Sequence, residues 1–309
     1  MRSEPLHLIG NVNLDVVMGP LARWPRMGTE VFLDDNEVRA GGAAGNAALA
    51  LRALGTPVRV HASLGRDLFG DLLARELGEL GAELERVPLD TAYSVGITHP
   101  SGERTFLTHL GHLEALDVAA TRRRLIEAPP SRALLCGYFL LAPLRTAATV
   151  DLLRAARARG HVTLLDTGWP SGGFGPDERS ELAALTPWLD VVLPNEIEAM
   201  AWTGQDDVDL AIAAFAERGV QAVVKRGPAG ASWWQDGRVR HLAAPRVEVA
   251  DTIGAGDAFN AGFLAALQRG HPTGDAVAAA IDYASRVVAT RPRRYPGDLR
   301  MPPPDDALG

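Results

Sequence analysis

The stretch DTIGAGDAFN, Asp251–Asn260, combines a turn of small residues with two carboxylates and leads into an apolar helical segment. Small residues let the backbone amides of Gly254, Ala255 and Gly256 converge at the start of the helix, where they attract anions. A carboxylate in the same turn, Asp257, can accept the proton of a hydroxyl that attacks a phosphoryl group. The pattern equally fits an aspartate that simply caps a helix after a glycine turn. The stretch alone leaves both interpretations open.

The rest of the chain alternates apolar strands with amphipathic helices. This predicts a doubly wound α/β fold, with a mostly parallel sheet and helices on both faces. ASWWQDG and RVRHLAAP add a late antiparallel pair, and the tail from Pro296 is predicted to be poorly ordered. Two β segments, residues 12–40 and 88–112, interrupt the alternation and are predicted to form a small β lid over the site. The α/β core then consists of residues 1–11, 41–87 and 113–309.

Polar residues that directly follow apolar strands are site candidates, because ligands bind beyond the carboxyl ends of an open parallel sheet. Asn13 and Asp15 follow the first strand, and RVEVA, residues 246–250, is interpreted as the strand that leads to Asp251. Asp166 follows HVTLL and is interpreted as no more than a turn-forming residue. Further candidates are Asn195 after VVLP and Gly227 after AVVKR.

Composition and charge exclude several classes of protein. The net charge is −7, and no Lys/Arg block spreads over a face, so nucleic acid is not expected as a partner. The two short basic runs, TRRR (121–124) and RPRR (291–294), are interpreted as solvated surface. No apolar run reaches the roughly 18 residues of a membrane span, so no membrane partner is expected. The first apolar run is too short for a secretory signal, which indicates a cytoplasmic location.

Other motif interpretations are weaker. GAGDAF has Gly-x-Gly but lacks the third glycine of a dinucleotide fingerprint. Lys225, the only lysine, does not lie in the Gly-x4-Gly-Lys frame of a phosphate-binding loop. His109 and His112 have no acidic cluster beside them, which argues against a metal site there. Cys136, the only cysteine, lies in a buried-strand pattern and is expected to be a core residue.

Two stretches, GGAAGNAALALRALG (41–55) and DTIGAGDAFNAGFLAAL (251–267), resemble the two signatures of the PfkB, or ribokinase-like, family of sugar and nucleoside kinases. PNEIEA resembles the family's Asn-x-x-Glu element, GNVNLDVV its opening strand, and VVKRGPAG its nucleotide-side strand and turn. The motifs follow the family's order across nearly the whole chain. The resemblance implies a ribokinase-like fold and an ATP-dependent carbohydrate kinase that uses Mg²⁺.

The resemblance also implies a role for each matching residue. Asp257 would be the general base, with the amides of Gly254, Ala255 and Gly256 around the γ-phosphate. The substrate-binding residues would be Asn13, Asp15, Gly41, Gly42 and Asn46, together with Asp257. The nucleotide side would comprise Asn195, Lys225, Gly227 and Gly230, together with Gly254 and Gly256. Asn195 and Glu198 would organise Mg²⁺ through water, while Asp251 and the backbone of Ile253 resemble a loop that binds K⁺ in some members.

The chain departs from the family pattern at two places. Many members have a Gly-Ala turn after the last helix, near the cation loop, where this chain reads ATRPRRYPGD (289–298). Ala43 stands where ribokinases typically have a lysine. The first departure leaves K⁺ activation open, and the second points away from ribokinase itself. The expected acceptor is a hydroxymethyl group of an unphosphorylated sugar.

Two other functions stay open at this point. A nucleoside kinase of the same fold would use Tyr93 and Phe106 of the lid to stack on the base. A sugar-binding protein that has lost phosphate transfer is the other alternative. A lid sheet with exposed edges favours pairing with a second copy, so a homodimer through the lid is expected.

Overall fold

The computed structural model describes residues 4–82, 84–101 and 104–301. The strands are β1 (Leu6–Gly10), β2 (Asn13–Gly19), β3 (Asp35–Gly41), β4 (Val58–His61), β5 (Ser63–Gly65), β6 (Glu85–Val87), β7 (Tyr93–Thr98), β8 (Arg104–His109), β9 (Arg132–Cys136), β10 (Val162–Asp166), β11 (Val191–Val192), β12 (Gln221–Lys225), β13 (Ala231–Gln235) and β14 (Arg238–Leu242). The helices are α1 (Ala43–Ala53), α2 (Leu68–Leu77), α3 (Glu79–Ala82), α4 (Val118–Glu127), α5 (Ala147–Ala158), α6 (Pro176–Leu185), α7 (Glu196–Thr203), α8 (Val208–Glu217), α9 (Ala255–Gln268) and α10 (Thr273–Val288).

Within the described ranges, the central sheet has eight strands in the order β14-β13-β12-β11-β10-β9-β1-β4. The six strands β12, β11, β10, β9, β1 and β4 pair in parallel. β13 and β14 add the antiparallel pair that the sequence predicts. The chain passes from β1 to β4 on one side, and the later parallel strands lie on the other side of β1. Ligands of such sheets bind where the winding direction reverses, so the carboxyl end of β1 is the expected place for a site.

The central sheet is covered on both faces, as expected for the doubly wound class. Neighbouring residues of β9 illustrate this, because side chains alternate along a strand. Leu134 packs in a core with α1, α9 and α10, and Leu135 packs in a second core with α4, α5 and α8. Cys136 is buried in the first core, as predicted. None of the helices in the described residues is long and apolar enough to cross a membrane.

A second sheet pairs β3-β2-β7-β8 in that order; its strands lie in the two segments that were predicted to form a lid, and the sheet is called the lid below. Its register gives the lid two different faces. Asp15 lies opposite Arg39 on one face, whereas Val16 lies opposite Val38 on the other face. β3 runs on to Gly41, one residue beyond the predicted lid segment, and leads directly into α1.

The expectation of a strand at residues 246–250 is wrong. The segment is irregular, and Val247 and Val249 are 38% and 55% exposed. Both valines line a cavity beside the central sheet, so the alternating pattern reflects cavity lining rather than sheet pairing.

The expectation of a poorly ordered tail is also wrong for residues 296–301. The hydroxyl of Tyr283 donates to the carbonyl of Pro296 (3.2 Å), and Arg286 forms a 2.8 Å ion pair with Asp298. Leu299 and Met301 pack against the core. Residues 302–309 lie outside the described residues.

Candidate active site

Asp257 lies in the first turn of α9, but it does not cap the helix. The N-cap is Gly254, in a left-handed conformation with φ 74°, and no side chain caps the first turn. A side chain on Gly254 would bring its Cβ within 2.9 Å of Asn46 Nδ2, so both the backbone and the space require glycine. The Asp257 carboxylate instead accepts a 2.8 Å hydrogen bond from Asn46 Nδ2. The capping alternative therefore does not describe this aspartate.

The environment of Asp257 makes it a better base than an exposed aspartate. Burial, followed by the nearby Asp166 carboxylate, raises its pKa to about 7 against the opposing effects of Asn46 and Lys225. A carboxyl group with this pKa can take up a proton near neutral pH.

Asp15 is the end of a chain of buried polar side chains at the carboxyl end of β1. Asn11 Nδ2 donates to Asn13 Oδ1, and Asn13 Nδ2 donates to Asp15 Oδ1, each over 2.8 Å. Burial raises the pKa of Asp15 to about 6. The Asp15 carboxylate lies against the backbone of Gly41, where any side chain would overlap it. Asn11 belongs to this series of hydrogen-bonded side chains and was not among the predicted site residues.

Asn46 connects the substrate-side turn to Asp257. It lies in α1, one turn after the Gly42 cap, and is 3% exposed. Its side chain does not cap the helix; its Oδ1 accepts hydrogen bonds from Arg293 Nη1 (2.8 Å) and the Tyr295 hydroxyl (3.1 Å). Its Nδ2 is thereby directed to Asp257.

Lys225 lies at the end of β12, beside the loop that precedes α9. Its Nζ is 2.6 Å from Asp166 Oδ2, and it would be 3.4 Å from a Cβ on Gly256. The Asn260 carboxamide also donates to Asp166. Sequence reasoning assigned Asp166 only a turn, yet the structure places it between Lys225 and Asn260 on the wall of the cavity.

A cavity of about 890 Å³ extends from Asp257 along the carboxyl ends of β10 to β12. Asp257, Gly256 and Lys225 line its polar end. The apolar lining comes from Ala244, Val247, Val249, Ile281, Ala284 and Val288, and Gly227 and Gly230 also lie on its wall. The cavity therefore offers charged groups at one end and an apolar slot at the other, next to the carboxylate that is a candidate base.

This chain is similar to known proteins over most of its length. The profile described as pfkB family carbohydrate kinase matches residues 8–295. The chain belongs to the pfkB family of carbohydrate kinases. Among its relatives are a sugar kinase of Escherichia coli, 27% identical over 93% of this chain and 89% of that protein, and a 1-phosphofructokinase of Haloferax volcanii, 32% identical over 85% and 84%. A putative ribokinase II of E. coli, crystallised with ATP and Mg²⁺, has a TM-score of 0.79 at 22% identity, covering 93% of this chain and 94% of that one.

Membership of the pfkB family confirms the ribokinase-like fold and the kinase activity that the motifs predict. The protein is a phosphotransferase that acts on an alcohol group. The two signature turns, 41–46 and 251–257, meet in space through the hydrogen bond between Asn46 and Asp257, although 211 positions separate those two residues.

The Asn-x-x-Glu element of this pfkB-family kinase forms a capping box at the start of α7. Asn195 Oδ1 accepts from the amide of Glu198, and Glu198 Oε2 accepts from the amide of Asn195, each over 2.8 Å. Burial raises the pKa of Glu198 to about 7, with Asp166 as the next cause. No group of three or more His, Cys, Asp or Glu in the described ranges could hold a metal ion on its own. His112 is buried with both ring nitrogens hydrogen-bonded to backbone atoms, so its role is structural.

The loop that resembles the family's cation site is bound by an arginine. Arg293 Nη2 lies 3.3 Å from Asp251 Oδ2 and donates to the carbonyl oxygen of Ile253. The Arg293 side chain is 3% exposed, so the interpretation of RPRR as solvated surface is wrong for this residue. Arg39 Nη2 lies 2.6 Å from the same Asp251 oxygen. A bound K⁺ does not fit these ligands, because guanidinium groups already occupy them.

Proposed function

We propose that the protein transfers the γ-phosphate of ATP to a hydroxymethyl group of an unphosphorylated sugar. The position of Asp257 carries this proposal. The residue lines the cavity next to Lys225 and Gly256, and through Asn46 it adjoins the turn that holds Asp15. A hydroxyl group bound at the Asp15 side would therefore approach a phosphate bound at the Lys225 side with the candidate base between them.

The cavity suits a nucleotide. Its apolar slot, which includes Val247, Ile281 and Val288, would hold the base, and the ammonium of Lys225 would lie near the phosphates. The start of α9 lines the same cavity through Ala255 and Gly256, and the helix dipole favours negative charge there. The putative ribokinase II of E. coli, which shares the fold, holds ATP and Mg²⁺.

The residues around Glu198 fit a magnesium ion held largely through water. Glu198 and Asp166 are two buried carboxyl groups on the cavity wall, and the negative charge of Asp166 adds to burial in raising the pKa of Glu198. Mg²⁺ prefers oxygen ligands and keeps several waters, so a set of few protein ligands suits it. When bound, it would neutralise negative charge on the phosphates of the nucleotide.

The chain's own residues would perform the transfer as follows. Asp257 accepts the proton of the sugar hydroxyl while the hydroxyl oxygen forms a bond to the γ-phosphorus. The bond from that phosphorus to the leaving oxygen of ADP breaks. The amides of Gly254, Ala255 and Gly256 stabilise the charge that develops on the phosphoryl oxygens. Lys225 adds a positive charge at the same place.

The lid would exclude water from this reaction. Its strand β7 lies close to the catalytic loop, since a Cβ on Gly96 would be 3.4 Å from Ile253 Cδ1. The buried amides and carboxylates of Asn11, Asn13 and Asp15 supply donors and acceptors for sugar hydroxyls. A ligand that leaves such groups unpaired loses affinity strongly, which would give selectivity among sugars.

One observation favours a nucleoside as a second candidate acceptor. Phe106 lies on the same face of the lid as Asp15 and is 47% exposed. It is therefore available to stack on a base. Tyr93 is not, because it lies on the opposite face and packs against Phe69 and His109.

A coupled assay of ADP release with a panel of acceptors tests the proposal. The panel comprises ribose, fructose, 2-keto-3-deoxygluconate, nucleosides and, because of the 1-phosphofructokinase relative, fructose 1-phosphate. We expect an unphosphorylated sugar to give the highest kcat/KM. The Asp257→Asn variant should lower kcat by about 10²–10⁴-fold, the usual contribution of a general base, with little change in sugar affinity.

Asp177→Asn is the matched control, because Asp177 also lies in the first turn of a helix but is exposed. It should keep the wild-type rate. Near-normal turnover by Asp257→Asn would refute the role of the base. A preference for nucleosides or for fructose 1-phosphate would refute the proposed acceptor.

A further inference from the structure

The guanidinium group of Arg293 lies where the family resemblance places a monovalent cation. It binds both expected ligands, the carboxylate of Asp251 and the carbonyl oxygen of Ile253. Arg39 lies against the same carboxylate. Two fixed positive charges thus already surround Asp251, and a free cation placed among them would be repelled.

The same guanidinium group sets the orientation of Asn46. Arg293 Nη1 and the Tyr295 hydroxyl both donate to Asn46 Oδ1, which leaves the amide nitrogen to face the carboxylate of Asp257. The reversed amide would put its NH₂ group against a guanidinium and its oxygen against a carboxylate. Both contacts would be repulsive, so Arg293 and Asp257 together fix one orientation.

The segment after α10 holds Arg293 in place through contacts on both sides. The backbone amide of Arg293 donates to Glu37 Oε1 of the lid (3.2 Å), and Tyr295 packs against the core. The Tyr283 hydroxyl anchors the carbonyl of Pro296. The guanidinium is therefore positioned before any ligand binds, and its long side chain has little freedom left to lose.

We propose that Arg293 is a built-in replacement for the monovalent cation, so that phosphate transfer by this protein needs no K⁺. It neutralises Asp251, supports the loop at Ile253 and turns Asn46 toward Asp257. The inference rests on the proposed kinase reaction, in which that loop surrounds the transferring phosphate. Arg293 is a positioning residue, because it reaches Asp257 only through Asn46.

The wild-type protein gives the first test. Its kinase rate is measured in K⁺-free buffer with choline chloride and again with KCl at the same ionic strength. We expect equal rates. A several-fold stimulation by K⁺ would overturn the proposal.

Variants at position 293 give the second test. Arg293→Ala should lower kcat/KM by about 10–100-fold in choline chloride, because Asn46 loses the charge-assisted hydrogen bond that turns it toward Asp257. KCl or guanidinium chloride should restore part of that rate by filling the vacated space. Arg293→Lys, which keeps the charge, should stay active without K⁺. Arg294→Ala removes an exposed arginine of the same segment and should behave as wild type.

Thermal unfolding separates this inference from the proposed function. KCl should raise the Tm of Arg293→Ala, relative to choline chloride, but should leave that of the wild type unchanged. If no acceptor yields ADP, the proposed function fails, and the Tm comparison still decides the cation inference. A wild-type rate for Arg293→Ala in choline, or no effect of either cation on its rate or Tm, would refute the inference. Should Arg293→Ala not fold, the wild-type and Arg293→Lys measurements decide.

Discussion

At the scale of single residues, the carboxylates around the cavity act on one another. Asp257 and Glu198 both have a pKa near 7, mainly because they are buried, and Asp166 raises the pKa of each. Lys225 opposes that effect in both cases. The protonation of the candidate base therefore depends on a neighbour that itself need not touch the acceptor.

Asp166→Asn should shift the pH dependence of the reaction. The base works when deprotonated, so kcat/KM should rise with pH and level off above the pKa of Asp257, which is about 7. Removing the Asp166 charge lowers that pKa and also frees Lys225 from its 2.6 Å ion pair, which lowers it further. The rise should thus move to lower pH.

The pH profile of kcat/KM for the acceptor, measured at saturating ATP and Mg²⁺, tests this shift separately from any loss in plateau rate. Asp151→Asn is the control, because Asp151 is an exposed carboxylate on α5. A profile of Asp166→Asn that stays in place or moves to higher pH would contradict the assignment of the rise to Asp257.

The residues that the sequence identified and those that it missed differ in a physical way. Asp257 and Asn46 lie in local patterns of glycine and other small residues, and such patterns can be recognised in the sequence without knowledge of the fold. Arg293 lies in a basic run with no local sign of burial, and its partners Asp251 and Ile253 are about 40 positions away. Only tertiary packing shows that this arginine is enclosed.

At the scale of elements, the junction from β3 to α1 lies in close contact with β2. Gly41, the last residue of β3, lies directly against the carboxylate of Asp15 on β2. Any side chain at position 41 must displace that carboxylate or the strand that carries it. Of the two glycines before α1, Gly41 thus leaves room for the carboxylate of Asp15, and Gly42 forms the turn into the helix.

Gly41→Ala should weaken both acceptor binding and stability. The overlap with Asp15 should lower the free energy of unfolding by roughly 1–3 kcal/mol, as overpacking does, and raise the KM for the acceptor more than it lowers kcat. Urea unfolding and steady-state kinetics measure the two effects. Gly172→Ala is the control, since nothing lies within 4 Å of a Cβ there. Unchanged KM and stability in Gly41→Ala would show that Asp15 is not held by this contact.

The sequence predicted a helix or strand correctly where its residue pattern fits only one type of structure. The strands β7 and β8 of the predicted lid and the buried parallel strands follow from their composition. RVEVA has the alternation of a strand, yet the segment is irregular in the structure and its two valines line the cavity. The tail from Pro296 lacks periodicity in its sequence, and residues 296–301 are held by single contacts such as that with Tyr283.

At the scale of the whole molecule, the candidate site adjoins both the central sheet and the lid, and the two faces of the lid differ. One face carries Asp15 and Arg39. The pairing register places an apolar row across all four lid strands on the other face, formed by Val38, Val16, Val95 and Leu107. The two ends of this row, Val38 and Leu107, are 49% and 56% exposed. An apolar row that is exposed at both ends, on a sheet with open edges, is typical of an interface.

We therefore expect a homodimer that joins two lids through this row, which would also stiffen the lid over the site. Light scattering after size exclusion should give about twice the 32.9 kDa of one chain. Leu107→Glu should give monomers, because a dimer would bury the added charges unpaired in an apolar interface. Leu210→Glu, at an equally exposed leucine of α8, should stay dimeric. A monomeric wild-type protein at micromolar concentration, or a dimer that survives Leu107→Glu unchanged, would exclude the lid as the interface.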